Sequence, residues 1–108
     1  VIAVPNPESA DAKHYGKDWA GYDVPRHLYH FSEKSMNIFQ SEFGMELVRV
    51  EPLTYDSYYV SLLSEGYKNP NSGLFSRYLN AFLQGYKSNQ KASKPGQYSS
   101  NIFIFKKK

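Results

Sequence analysis

Apolar and polar positions alternate along this chain in runs that change period several times. Val1 to Val4 is apolar and mostly β-branched, which predicts a strand covered on both faces. Pro5 and Pro7, flanking Asn6, end it. Ser9 to Lys17 reads as a short helix with Ser9 as its cap and Gly16 near its end. The stretch "DWAGYDVP" is irregular, being rich in turn formers. Ser32 then caps a helix in which Met36, Phe39 and Phe43 recur at helical spacing, with Ile38 beside them, and Gly44 supplies the left-handed exit. Phe31 before the cap staples onto the first turns.

Met45 to Glu51 predicts a strand whose Glu46, Arg49 and Glu51 suit a sheet edge, and Pro52 stops it. Thr54 or Asp56 caps a third helical segment carrying Tyr58, Tyr59, Val60, Leu62 and Leu63 and ending near Gly66. The tyrosines from Tyr55 to Tyr67 are expected in the core and on the helix surface. After the loop "KNPNSG", the stripe Leu74, Tyr78, Leu79, Phe82 and Tyr86 predicts a helix from about Ser72 to Lys87. The polar stretch "KSNQKASKPGQYSS" reads as a mobile connection, and Ile102 to Phe105 as a final strand. The fold class is therefore α/β with three strands. If the last strand lies between the first two, and a helix crosses from the first to a parallel second, the last must be antiparallel.

Composition narrows the function classes. Charged residues are 21% and hydrophobic ones 41% of 108 residues, a globular balance sufficient for one small domain. Cysteine is absent, which removes disulfides and thiolate metal sites. No apolar run reaches the roughly 20 residues of a membrane helix, so no membrane partner is expected. The net charge of +3 owes much to Lys106, Lys107 and Lys108, read as a solvated tail. Aromatics at 17%, ten of them Tyr, leave open a module that stacks single-stranded nucleic acid, and a non-catalytic interaction domain is a further alternative. The tyrosines follow helical stripes and the lysines are scattered, which argues against nucleic acid. The abrupt apolar opening "VIAVPNP" suggests a piece of a longer protein, with an unpaired edge at Val1–Val4 through which two copies would join.

"VPNP" closing a strand, followed by "WAGYDVPRHLYHFSEKSMNIFQSEFGMELVRVEP", resembles the C-terminal part of class I S-adenosylmethionine-dependent methyltransferases. The branch is the small-molecule one with a "DxPRHLYHFS" segment before a helix that ends in "GF". Here Met45 follows Gly44 instead. The match covers Val1 to about Pro52; Lys68 to Ser99 follows only the general layout. The resemblance implies a Rossmann-like seven-stranded sheet in which Val1–Val4, Met45–Glu51 and Ile102–Phe105 are strands five, six and antiparallel seven. It implies one partial domain, the C-terminal half, of a cytoplasmic enzyme with a small-molecule methyl acceptor. That family holds S-adenosylmethionine on a Gly-rich loop after its first strand and a carboxylate after its second. This chain has neither, and "GKDWAG" is no substitute, because it follows no strand and opens no periodic helix. The cofactor is thus expected only in the full-length parent.

Methyl transfer is a displacement at a sulfonium carbon, in which the protein orients the acceptor and removes its proton through a base such as His. His27 and His30 are the candidate bases, each also readable as a loop-packing ring. Tyr29 lines the same pocket. Arg26 either fixes the loop by hydrogen bonds or clamps an acidic substrate. Asn6 is either a turn residue or, by the resemblance, near cofactor and substrate. Trp19 and Tyr22 are a lid over the acceptor or loop packing. His27 and His30 with His14, Asp11 or Asp23 match no metal-ligand spacing, so no metal is expected.

Overall fold

The computed structural model describes residues 1–108, Pro95 by its backbone alone. The chain runs β1 (Ile2–Pro5), α1 (Ala10–Tyr15), two 3-10 turns (Gly16–Asp18 and Ala20–Tyr22), α2 (Glu33–Glu42), β2 (Met45–Pro52), α3 (Asp56–Lys68), α4 (Leu74–Lys91), a third 3-10 turn (Pro95–Gln97) and β3 (Ser100–Lys107). It is a small α/β domain with a three-stranded antiparallel sheet and four α-helices. The sheet order is β1-β3-β2. β3 pairs antiparallel with both neighbours, Ile2 facing Phe103 on one side and Pro52 facing Asn101 on the other. The last strand in the chain is therefore the middle strand of the sheet, and in that place it is antiparallel, as expected. Between Leu47 and Arg49 the register slips by one residue, leaving Val48 as a bulge on the edge strand.

α2 is built as its sequence indicates. The Ser32 hydroxyl accepts from the Ser35 amide and the Ser35 hydroxyl from the Ser32 amide, a reciprocal cap. Met36 is buried, and the Phe39 ring lies 5.7 Å from that of Phe105, so α2 covers the sheet face that carries Phe103 and Phe105. Gly44, at φ 60°, turns the chain into β2, a conformation open to glycine without penalty.

The second layer joins α1, α3 and α4. Its apolar centre is Ala12, Tyr15, Trp19 and Val60. Around it the interior is polar. Asp11 is wholly buried and accepts from Trp19 Nε1 at 2.9 Å, Ser88 Oγ at 2.9 Å and Ser99 Oγ at 2.6 Å. One carboxylate thus ties α1, α4 and the entrance of β3 together. α3 and α4 bury small side chains, Ser57, Ser61 and Ser64 on one and Ala81, Gly85 and Ser88 on the other, and Ser57 Oγ donates across to Asn89 Oδ1 at 3.0 Å. A Cβ on Gly85 would come 2.7 Å from the Tyr58 ring, so glycine sets the approach of the two helices.

The helix predicted over about Ser72 to Lys87 forms as α4, and its stripe Leu74, Tyr78, Leu79, Phe82 and Tyr86 points outward, each residue at least 48% exposed, because the small-residue face of α4 does the packing. Tyr55, Tyr59 and Tyr67 are exposed as well. Several expectations are corrected here. Neither Thr54 nor Asp56 caps α3: Tyr55 holds the cap position without a side-chain bond. The Thr54 carbonyl instead accepts from Ser57 Oγ and Asn89 Nδ2, and Asp56 accepts from Ser100 Oγ. The first strand is shifted by one residue to Ile2–Pro5, and Ala3 within it is exposed, so it is not covered on both faces. The polar connection after Lys87 carries regular structure in part: α4 continues to Lys91, and Asn6 Nδ2 donates to the carbonyls of Gly96 and Tyr98.

Candidate functional site

The segment from Arg26 to Phe31 folds against the carboxyl end of β1 and leaves a cleft of about 350 Å³ lined by Ala3, Val4, Pro5, Arg26, His27, Leu28, Tyr29 and Phe31. The turn that delivers it is held by Asp23, a non-glycine residue at φ 45°. Asp and Asn tolerate that region better than other side chains. The Asp23 carbonyl accepts from the His27 amide at 3.0 Å, and its Oδ1 accepts from Arg26 Nε at 3.0 Å. Arg26 is therefore fixed to its own loop, although its side chain is 81% exposed.

The two imidazoles differ. His30 Nε2 lies 2.8 Å from the Tyr22 carbonyl, so it carries the proton and donates it there. Its ring also stands edge-on to Tyr22 at 5.1 Å. It is half-buried and outside the cleft lining, tied into the loop. His27 lines the cleft. Its Nδ1 faces Asp23 Oδ2 at 3.9 Å, beyond a direct hydrogen bond but close enough for the carboxylate to orient the ring. That leaves Nε2 of His27 for a ligand. Of the two candidate bases, only His27 lines the cleft.

The other candidates separate in the same way. Tyr29 lines the cleft and is 78% exposed. Asn6 directly follows β1 but is buried, with Oδ1 accepting from the Glu8 amide and Nδ2 donating to the Gly96 and Tyr98 carbonyls. Its amide is fully used in joining two loops. Trp19 is 2% exposed and belongs to the core, which is the loop-packing alternative for that ring. Tyr22 relays between Trp19 and His30, edge-on to both at 5.1 Å. Arg26, His27 and Tyr29 are thus gathered at one cleft, whose lining does not include Asn6, Trp19, Tyr22 or His30. Leu28, Phe31 and the face of β1 complete the lining and were not singled out from the sequence. Their signal was the apolar residues alternating with rings in "RHLYHF". Asp23 was signalled by its spacing of three and four from Arg26 and His27.

A second ionisable cluster lies inside the helical layer. Tyr15 donates to Glu65 Oε1 at 2.9 Å, and Asn69 Nδ2 donates to Glu65 Oε2. Burial, then the Glu65 carboxylate, push the Tyr15 phenol well above its usual range. His14, beside it, is lowered by desolvation and then by Lys68. Among the described residues no group of three His, Cys, Asp or Glu side chains is placed to hold a metal. No helix is long and apolar enough to cross a membrane among the described residues. Comparison of the chain with family models, with curated proteins and with solved structures finds no match in any of the three.

Proposed function

We propose that this chain is the substrate-side part of an S-adenosylmethionine-dependent methyltransferase acting on a small-molecule acceptor, its sheet being the last three strands of a Rossmann-like methyltransferase sheet. The observation that carries the reading is the cleft at the carboxyl end of β1, where His27 and Tyr29 line one wall and Ala3, Val4 and Pro5 another. Open α/β sheets bind ligands at the carboxyl ends of their strands. The antiparallel β3 between β1 and β2 is the order the family resemblance implies.

The residues present do not fit the cofactor's main binding loop. The turn from β1 into α1, Asn6 to Ser9, has no glycine, and its one amide side chain is committed internally. Bound elsewhere in the parent, the cofactor supplies an electrophilic methyl group. The part played by these residues is with the acceptor. Leu28, Phe31 and β1 exclude water from its apolar body, Tyr29 orients it, and His27 Nε2 takes the proton from its attacking atom. Asp23 is a positioning residue, holding His27 and Arg26 in one geometry. The exposed apolar surface of α4 favours a second reading, a non-catalytic interaction domain.

Two measurements test the proposal. Calorimetric titration of residues 1–108 with S-adenosylmethionine is expected to show no binding, and a micromolar Kd would overturn the assignment. In the parent that carries the Gly-rich loop, His27→Ala is expected to lower methyl transfer about 100-fold with an unchanged Tm. Near-normal turnover in that variant would refute the base role.

A further inference from the structure

We infer that the groove between α3 and α4 is a binding site for a small amphipathic carboxylate, whose acid group pairs with Arg77 and whose apolar body lies on the leucines beside it. The groove has a volume of about 410 Å³ and is lined by Leu62, Leu63, Tyr67, Leu74 and Tyr78, and Arg77 is its one charged side chain among the described residues. Mostly apolar pockets of about 300–1,000 Å³ that carry one or a few polar groups are the usual seats of small ligands. This groove shares no lining residue with the cleft at β1.

Arg77 identifies the head group of the ligand. A guanidinium carries five N–H donors and no acceptor. Nη2 donates to the Pro70 carbonyl at 3.2 Å, and Nε is shielded from water without an acceptor. Arg77 takes part in none of the ion pairs among the described residues. The two carboxylates of the hairpin are committed elsewhere: Glu65 accepts from Tyr15 and Asn69, and Asp56 accepts from Ser100. The guanidinium is nonetheless held in place. It lies across Gly66, where a Cβ would come 3.7 Å from Nη1, while the Pro70 carbonyl fixes one edge. A positioned guanidinium with unspent donors suits a planar carboxylate, which takes two parallel N–H bonds. One cation balances one carboxylate. A phosphate dianion asks for a second cation, and Lys68, at the end of α3, lies instead over the Tyr15 ring at 5.9 Å, toward α1. The body of the ligand is apolar, because Leu62, Leu63 and Leu74 offer it no polar partner. Leu74, Tyr67 and Tyr78 are 69%, 61% and 59% exposed, so the surface that this body covers is open to it.

The test is a proton–nitrogen NMR titration of the full chain with octanoate and with octanamide, which has the same hydrocarbon tail and no charge. Octanoate is expected to shift the amides of Gly66, Tyr67, Leu74 and Tyr78 and the Nε–H of Arg77 to saturation, with a Kd of about 1 mM or tighter. Octanamide should bind about tenfold or more weaker. Arg77→Gln, which gives up a single exposed bond within the chain, should bring octanoate down to the octanamide affinity with the circular dichroism melt unchanged. Tyr78→Ala should weaken both probes alike. The comparison of the two probes on the unaltered chain stands without any variant. No saturable shift, equal binding of the two probes, or shifts confined to the β1 cleft at Ala3–Pro5 and Arg26–Phe31 would overturn the assignment. Tighter binding of octyl phosphate than of octanoate would also overturn it, as would movement of the same amides with protein concentration when no ligand is present.

Discussion

Replacing Asp11 by alanine removes the one acceptor shared by three buried donors, Trp19 Nε1, Ser88 Oγ and Ser99 Oγ. A buried donor left without a partner costs about 1–3 kcal/mol. The indole N–H points in one fixed direction and takes the full penalty. The two hydroxyls rotate, and Ser88 has the carbonyl of the preceding helical turn within reach, which reduces their share. The sum is about 3–4 kcal/mol, a large part of the roughly 5–15 kcal/mol that holds a domain folded. Asp11→Asn keeps an acceptor for Trp19 and Ser99, and Ser88 can reverse its hydroxyl to accept from the new amide. That variant should cost only about 1 kcal/mol. Trp19 is the chain's only tryptophan and lies in the affected contact, so its fluorescence reports urea unfolding directly. With a slope of about 2 kcal/mol/M, the midpoint should fall by about 1.5–2 M in Asp11→Ala and by about 0.5 M in Asp11→Asn. A midpoint in Asp11→Ala within about 0.3 M of the parent, or equal losses in the two variants, would refute the reasoning.

Other variants probe separate contacts. Gly85→Ala drives a methyl group into the Tyr58 ring and backbone and should destabilise the hairpin by about 1–3 kcal/mol, whereas the same change at Gly73, which has open space, should cost far less in a thermal melt. The folded chain keeps the Tyr15 proton where the unfolded chain releases it, so this contribution is complete below about pH 10 and is lost as pH rises above it. Tyr15→Phe should cost about 1–3 kcal/mol at neutral pH and flatten the alkaline loss, read from urea midpoints at about pH 8 and about pH 11. His30→Ala removes a bond to the Tyr22 carbonyl and should lower stability by about 1 kcal/mol, while His27→Ala should leave the urea midpoint unchanged; the reverse order would exchange their roles.

Much of the scaffold was legible because its signals are local. Ser9 and Ser32 cap the helices they precede, and Gly44 leaves α2 in the left-handed region, each device acting within a few residues. Connectivity gave the antiparallel direction of the last strand on the condition that it lies between the other two, and its middle place was what the family resemblance implied. The stripe of α4 announced the helix but not the face by which it packs. Its apolar stripe carries the periodicity of a core face, yet close helix approach is decided by the smallest side chains, and Ala81, Gly85 and Ser88 make a weaker hydrophobic signal than Phe82 or Leu79. At the cleft, "RHLYHF" marked the segment correctly but did not separate His27 from His30. That distinction rests on a carbonyl, Tyr22, eight residues away from the ring it holds. The Asp11 cluster joins residues 77 and 88 positions apart, which no local pattern encodes.

The position of β3 also orders events in time. β1 and β2 never touch each other; every ladder bond of the sheet runs through Ser100–Lys107. While the chain is being made, α2 and the α3–α4 hairpin can wind and dock, but the sheet cannot begin until its final strand emerges. Pairing Ile2 with Phe103 closes a loop spanning almost the whole molecule, at an entropic cost on the order of 4 kcal/mol. Within residues 1–108, β1 and β2 therefore have no ladder partner until β3 pairs with both, and long-range pairing of this kind is slow compared with the local winding of the helices.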